Sequence, residues 1–220
     1  MAAEKLLKGN SMHEKIKNTI SALKANNIEV FYAENKQQIP EIVKGLLNQG
    51  DTISCGGSVT LAECGVSELM NCGDYNFLNR AEVEDVAKLY RDCFSADAYL
   101  TSANAVTEGG ALINVDGNAN RVGCIAFGPK KVIFIVGANK IVKDVNEAFL
   151  RVKTIAAPKN AVRLGLNTPC SKLGHCIALE GGIAEGCNTS NRICSQYLIT
   201  AFQRDKNRIK VIITPDSLGY

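Results

Sequence analysis

Apolar residues first recur with the period of a helix. Between Ser11 and Asn26, Met12, Ile16, Ile20 and Leu23 fall on one face with lysines and asparagines opposite. This predicts an amphipathic helix that stops at Asn26-Asn27. From Ile28 to Ala33 the period drops to two, as in a strand, and then Ile39, Ile42, Val43, Leu46 and Leu47 return to helical spacing before a stop at Gly50. Thr52 to Cys55 is short and apolar enough for a buried strand. Strand, helix, strand is the order of a parallel βαβ unit.

The same reading predicts strands at Ala98 to Thr101, Ala111 to Val115 and Lys131 to Val136. The last is an almost unbroken Val/Ile/Phe run, the pattern of a central strand covered on both faces. Helices are expected over Thr60 to Cys64, Glu82 to Phe94 and Ile141 to Ala156, and Gly109-Gly110 reads as a hairpin turn that adds an antiparallel element. The expected fold class is α/β, with a mixed, mostly parallel sheet flanked by helices. No repeat or linker divides the chain, so residues 1–220 are read as one domain, with a Cys/Gly-rich appendage over 168–194.

Composition narrows the function. A chain of 220 residues, 46% hydrophobic and 21% charged, has the make-up of a packed globular protein. Its 25 basic and 22 acidic side chains leave a net charge of only +3, which argues against a nucleic-acid surface. Met1 to Asn10 lacks the apolar stretch of a secretory signal, and no segment is apolar over the length a bilayer requires. Nine cysteines without such a signal point to the reducing cytoplasm. With only His13 and His175, a Ser–His or Cys–His hydrolase has little to work with.

Three constellations could carry chemistry. Cys55-Gly56-Gly57-Ser58-Val59-Thr60 lies between an expected strand and an expected helix, where glycines admit a ligand to the backbone and the hydroxyls of Ser58 and Thr60 can hold a carboxylate or phosphate. The alternative is a tight turn in which Ser58 merely caps the helix. The segment has neither a P-loop lysine nor the three-glycine dinucleotide fingerprint.

Thr101 to Arg121 concentrates Asn104, Glu108, Asp116, Asn118, Asn120 and Arg121 beside an apolar strand. Glu108 and Asp116 are the candidate catalytic carboxylates and Arg121 the candidate partner of a substrate carboxylate, set against a pair of ordinary turns. The third group is Cys170, Cys176, Cys187 and Cys194, with His175 adjacent. Four thiolates suit zinc or an iron–sulfur cluster, although no C-x-x-C pair is present and five further cysteines read as small buried residues.

Taken together, Cys55 to Thr60, Thr101 to Arg121, Phe127 to Lys131 and Gly137 to Val142 resemble the LUD domain of the lactate-utilisation proteins B and C, especially the short stand-alone form. The resemblance runs from the first helix to Asp216-Ser217-Leu218-Gly219-Tyr220. It implies a fold like that of ribose-5-phosphate isomerase, glucosamine-6-phosphate deaminase and the CoA transferases, with Gly56, Gly57, Ser58 and Thr60 in the phosphate- or carboxylate-binding loop. It also implies a part in L-lactate oxidation to pyruvate alongside iron–sulfur partner proteins. Stand-alone members end with a tight cysteine group near Thr168-Pro169-Cys170 and Arg192-Ile193-Cys194, which this chain widens by Ile177 to Gly186.

The leading expectation is therefore a binder of a small carboxylate- or phosphate-bearing metabolite. An isomerase or CoA-transferase-like enzyme using Glu108, and a metal- or redox-responsive interaction module, stand as alternatives. Self-association is open.

Overall fold

The computed structural model describes residues 2–220, with side chains from residue 12 onward. The reading of Met1 to Asn10 as carrying no signal falls on side chains outside those described.

The chain runs α1 (Ala2–Ala25), β1 (Glu29–Tyr32), α2 (Ile39–Leu46), β2 (Thr52–Cys55), α3 (Val59–Glu63), α4 (Val66–Met70), β3 (Asn76–Leu78), α5 (Val86–Asp92), β4 (Ala98–Thr101), β5 (Ala105–Thr107) and β6 (Leu112–Asp116). It continues through α6 (Asn120–Ala126), β7 (Lys131–Gly137), β8 (Ile141–Val142), α7 (Val145–Arg151), α8 (Ala157–Arg163), α9 (Pro169–Leu173), β9 (Gln196–Thr200) and β10 (Ile209–Thr214). Six strands form one sheet in the order β1-β10-β7-β4-β2-β3, every pair parallel. A smaller mixed sheet, β8-β5-β6-β9, is built on the antiparallel β5–β6 hairpin. Among the described residues no helix is long and apolar enough to cross a membrane.

The unbroken apolar run of β7 follows from its place in the sheet. Val132, Phe134 and Val136 join Leu23, Tyr99 and Val211 in one core, while Ile133 and Ile135 join Ile39, Val43 and Leu61 in another on the opposite face. Both faces are dry, so alternation disappears. The first helix docks on the hairpin, where Asn26 donates to the carbonyls of Gly109 and Gly110.

Several boundaries differ from the sequence pattern. The helix expected over Glu82 to Phe94 spans only Val86–Asp92, because Asp85 accepts from Lys88 N at 2.8 Å and caps it there. The helix expected from Ile141 begins at Val145, since Ile141 and Val142 pair with Val106 and Thr107 as an edge strand. From Val145 the helix runs without a break to Arg163 through a π turn at Val152–Ala156. Pro158, two residues beyond that turn, has no N–H to contribute to a regular helical ladder.

Candidate ligand-binding cleft

In the large sheet the chain passes from β2 outward to β3 and returns to place β4 on the other side of β2. In open α/β sheets such a reversal opens a crevice at the carboxyl ends of the strands. A cleft of about 350 Å3 lies there. Part of its lining comes from loops after five parallel strands: Gly56 to Thr60 after β2, Arg80 after β3, Ser102 and Asn104 after β4, Lys140 after β7 and Gly219 after β10; the rest comes from the β6–α6 connection, α8 and the segment around Arg192.

Lys140 forms the floor. It is 3% exposed, and its amine donates to Thr60 Oγ1 at 2.8 Å and Ser102 Oγ at 2.9 Å. No carboxylate pairs with it among the described residues. Burial, followed by the charges of Arg151 and Arg121, lowers its pKa from 10.5 to about 7.

Arg121 is bound inward. Its Nη1 donates to Ser102 O and Asn114 Oδ1, and its Nη2 donates to Asn104 Oδ1 and Val115 O and pairs with Asp116 Oδ1 at 2.8 Å. The other oxygen of Asp116 accepts from Val122 N at 2.8 Å and so ties β6 to α6. This knot shapes the wall between the two sheets.

Among the described residues the arginines Arg80 and Arg163 on the rim form no ion pair with a carboxylate. A Cβ placed on Gly57 would meet Arg80 Nη2 at 3.0 Å and Arg163 Nη2 at 3.4 Å, so two guanidinium tips converge over that glycine. Arg163 also donates to Asn160 Oδ1, and neither arginine has a carboxylate partner among the described residues. Arg80, Arg121, Lys140, Arg163 and Arg192 line the cleft, against the single acidic side chain of Asp116, already paired with Arg121.

A family model for the LUD domain matches residues 16–214. The chain belongs to the LUD domain family. That family is associated, at family level, with lactate utilisation. A DUF162 family protein from Deinococcus radiodurans is similar in structure, with a TM-score of 0.53 and 16% identity, covering 92% of this chain and 98% of that one. This likeness shows the fold. Lesser similarity extends to eIF2B delta from Chaetomium thermophilum (TM-score 0.36, 17% identity, 52% of this chain and 50% of that one) and to the alpha subunit of a malonate decarboxylase from Acinetobacter baumannii (0.35, 16%, 61% and 34%). No curated protein matches by sequence.

The cleft of this LUD domain gathers Gly56, Gly57, Ser58, Thr60, Asn104, Asp116, Asn118, Asn120 and Arg121 from the sequence-predicted set. Glu108 is not among them: it sits on the hairpin beside Lys15, 3.5 Å away, which leaves one of the two candidate catalytic carboxylates outside the cleft. Arg121, expected to meet a substrate carboxylate, instead has both its Nη groups on internal acceptors. Ser58 caps α3 by accepting from Leu61 N at 3.4 Å, the plainer of its two expected roles. Pattern alone does not single out Lys140, Arg80 and Arg163. A lysine three residues past the most apolar strand was the available signal, because the carboxyl end of a central parallel strand is where such sites form.

Cys170, Cys176, Cys187 and Cys194 line one separate cavity of about 20 Å3, together with Val152 and Tyr197. Burial, and after it the neighbouring Cys194, Cys170 and Cys176, raises the pKa of Cys187. Two cations fasten the surrounding loop: Lys153 donates to the carbonyls of Ala178, Leu179, Gly181 and Gly182, and Arg192 to those of Ile183, Ala184, Glu185 and Cys194. His175 is exposed, with Nδ1 on Cys176 O. The donor set suits a soft cation. Among the described residues, however, no three His, Cys, Asp or Glu side chains stand together at ligating spacing.

Proposed function

We propose that this LUD domain binds a small carboxylate- or phosphate-bearing metabolite in the switch-point cleft, within lactate or related hydroxy-acid metabolism. The carrying observation is the pair of guanidinium tips of Arg80 and Arg163 over Gly57, neither of them in an ion pair with a carboxylate among the described residues. Holding two like charges together costs free energy, and an anion between them reverses the sign of that term. A planar carboxylate or a phosphate fits paired guanidinium donors, and the glycine lets it approach the backbone. Among the ionisable groups on the walls positive charge predominates, and a buried amine lies below.

The test is thermal unfolding with lactate, pyruvate and their phosphorylated relatives. A native-state ligand at a hundredfold excess over its Kd stabilises by about 2.7 kcal/mol, which for a chain of this size raises Tm by roughly 5–10 °C. Arg80→Ala should remove most of that rise while leaving the unliganded Tm almost unchanged. No rise with any of these anions would overturn the reading.

A second, separate reading draws on the four thiols that line the small cavity: the loop would have to draw them together around one soft metal ion, and the appendage would then serve as a clasp or a docking point for an iron–sulfur partner. The cavity is about 20 Å3, room for one water-sized body. Metal and acid-labile sulfide measured after anaerobic purification, with Cys170→Ser/Cys194→Ser alongside, decide it: about one metal per chain, lost in the variant, is expected. A metal-free wild-type protein sinks it.

A further inference from the structure

An amine nine-tenths or more buried, held by two hydroxyls and no carboxylate, is unusual for lysine, whose charge is ordinarily solvated or paired. Lys140 is such a group, and it faces the cleft. We infer that Lys140 is a nucleophile that forms an imine with the carbonyl of a small ketone bearing a carboxylate or phosphate, whose anionic group rests on Arg80 and Arg163. This rests on the anion reading above and adds the electrophile.

The local hydrogen bonding is suited to the step. Ser102 donates its own O–H to Ile135 O at 2.6 Å, so it can only accept from Lys140. That hydroxyl orients the amine. Thr60 Oγ1 has no other hydrogen-bond partner among the described residues, so it can either accept from the amine or donate to its lone pair. Around the nitrogen, Arg151 on α7 and Arg121 on α6 oppose protonation, while Glu63 at the end of α3 and Cys64 just after it favour it more weakly. Arg151 is held in place by the carbonyls of Asn104 and Asn139, and Glu63 is occupied by Gly219 N. A Cβ on Gly219 would come within 2.5 Å of Thr60 Oγ1 and 3.4 Å of the amine, so that segment closes over the pair.

In the reaction the nitrogen lone pair attacks the carbonyl carbon and the C–N bond forms. The carbonyl oxygen takes a proton, for which the Thr60 hydroxyl is placed as relay, to give a carbinolamine. Loss of that oxygen, with both amine hydrogens, as one water leaves the imine. No oxidant or reductant is consumed. With its pKa lowered from 10.5 to about 7, Lys140 has a free-amine fraction at pH 7 roughly a thousandfold above that of an exposed lysine.

The experiment is borohydride reduction of the whole protein at pH 7 with pyruvate in one arm and dihydroxyacetone phosphate in the other, followed by peptide mapping. The expected result is one reduced adduct per chain, on Lys140, in whichever arm carries the fitting anion, and none in Lys140→Arg. Because the adduct is mapped on the wild-type chain, a poorly folding variant does not weaken the result. Thr60→Val should slow labelling of Lys140 several-fold. No adduct, or label spread over exposed lysines, overturns the inference. If lactate still raises Tm in that case, anion binding survives and only the imine falls. If no anion shifts Tm yet Lys140 alone is labelled, the amine is a nucleophile and the guanidinium pair is not its anion site.

Discussion

Gly56 and Gly57 are neighbours in sequence, yet a methyl group would act differently on each. At Gly56 the new carbon would lie 2.9 Å from Arg121 Cδ and 3.0 Å from Tyr99 Oη. Arg121 cannot yield, because both its Nη groups are hydrogen-bonded internally and Nη2 also pairs with Asp116. Gly56→Ala should cost about 1–3 kcal/mol, as overpacking does, read by urea unfolding. At Gly57 the contact is the tip of Arg80, which can swing away, so Gly57→Ala should stay within about 0.5 kcal/mol of wild type. Its effect should appear instead as several-fold weaker anion binding in the ligand-dependent Tm. Equal stability losses at both positions would contradict this division. The contrast also shows what one chain conceals. The residue types of the cleft were readable as a polar concentration near strand ends, but Arg121 gave no sign that its partners were Asn104, Asn114 and Asp116 rather than a ligand.

Elements were legible where burial is simple. β2, β4 and β7 carry short apolar runs, and the hairpin turn at Gly109-Gly110 joins strands that pair antiparallel as expected. Ile209–Thr214 gives no clear strand signal in the sequence although it lies beside β7, because Lys210 interrupts its apolar run. That lysine is carried by pairing with Glu29 on the neighbouring strand. The three-residue β3 and two-residue β8 are too short to show a period. Ile141 and Val142 matched the spacing of the helix behind them, and only their pairing with β5 makes them a strand. Helix ends were set by capping aspartates, Asp85 and Asp144, whose side chains stop the pattern short of where hydrophobicity alone would place it.

For the molecule as a whole, the buried ionisable groups give stability a defined pH dependence. Between pH 7 and 10.5 an unfolded Lys140 binds a proton that the folded one does not, so stability rises with pH across that window. Cys55 and Cys64, raised by burial from 9.0 to about 11, and Cys124, raised to about 12, act with the opposite sign. Above pH 9 their unfolded forms lose protons that the folded forms keep, and stability falls. Three opposing thiols outweigh one amine, so for these groups the maximum should lie near pH 9. Urea midpoints from pH 7 to 10 should show the climb and then the turn, and Lys140→Met should flatten the climb alone. A midpoint that falls steadily from pH 7 would refute this account of the floor of the cleft.

The unbroken helix from Val145 to Arg163 stands between the two cavities. Val152, Lys153, Ala157 and Pro158 face the cysteines, while Ala156, Asn160 and Arg163 face the cleft. With a π turn at its centre, it behaves as a shared axle. If occupation of one cavity shifts that axle, the affinity of the other must change, and by thermodynamic reciprocity the influence has the same size in both directions.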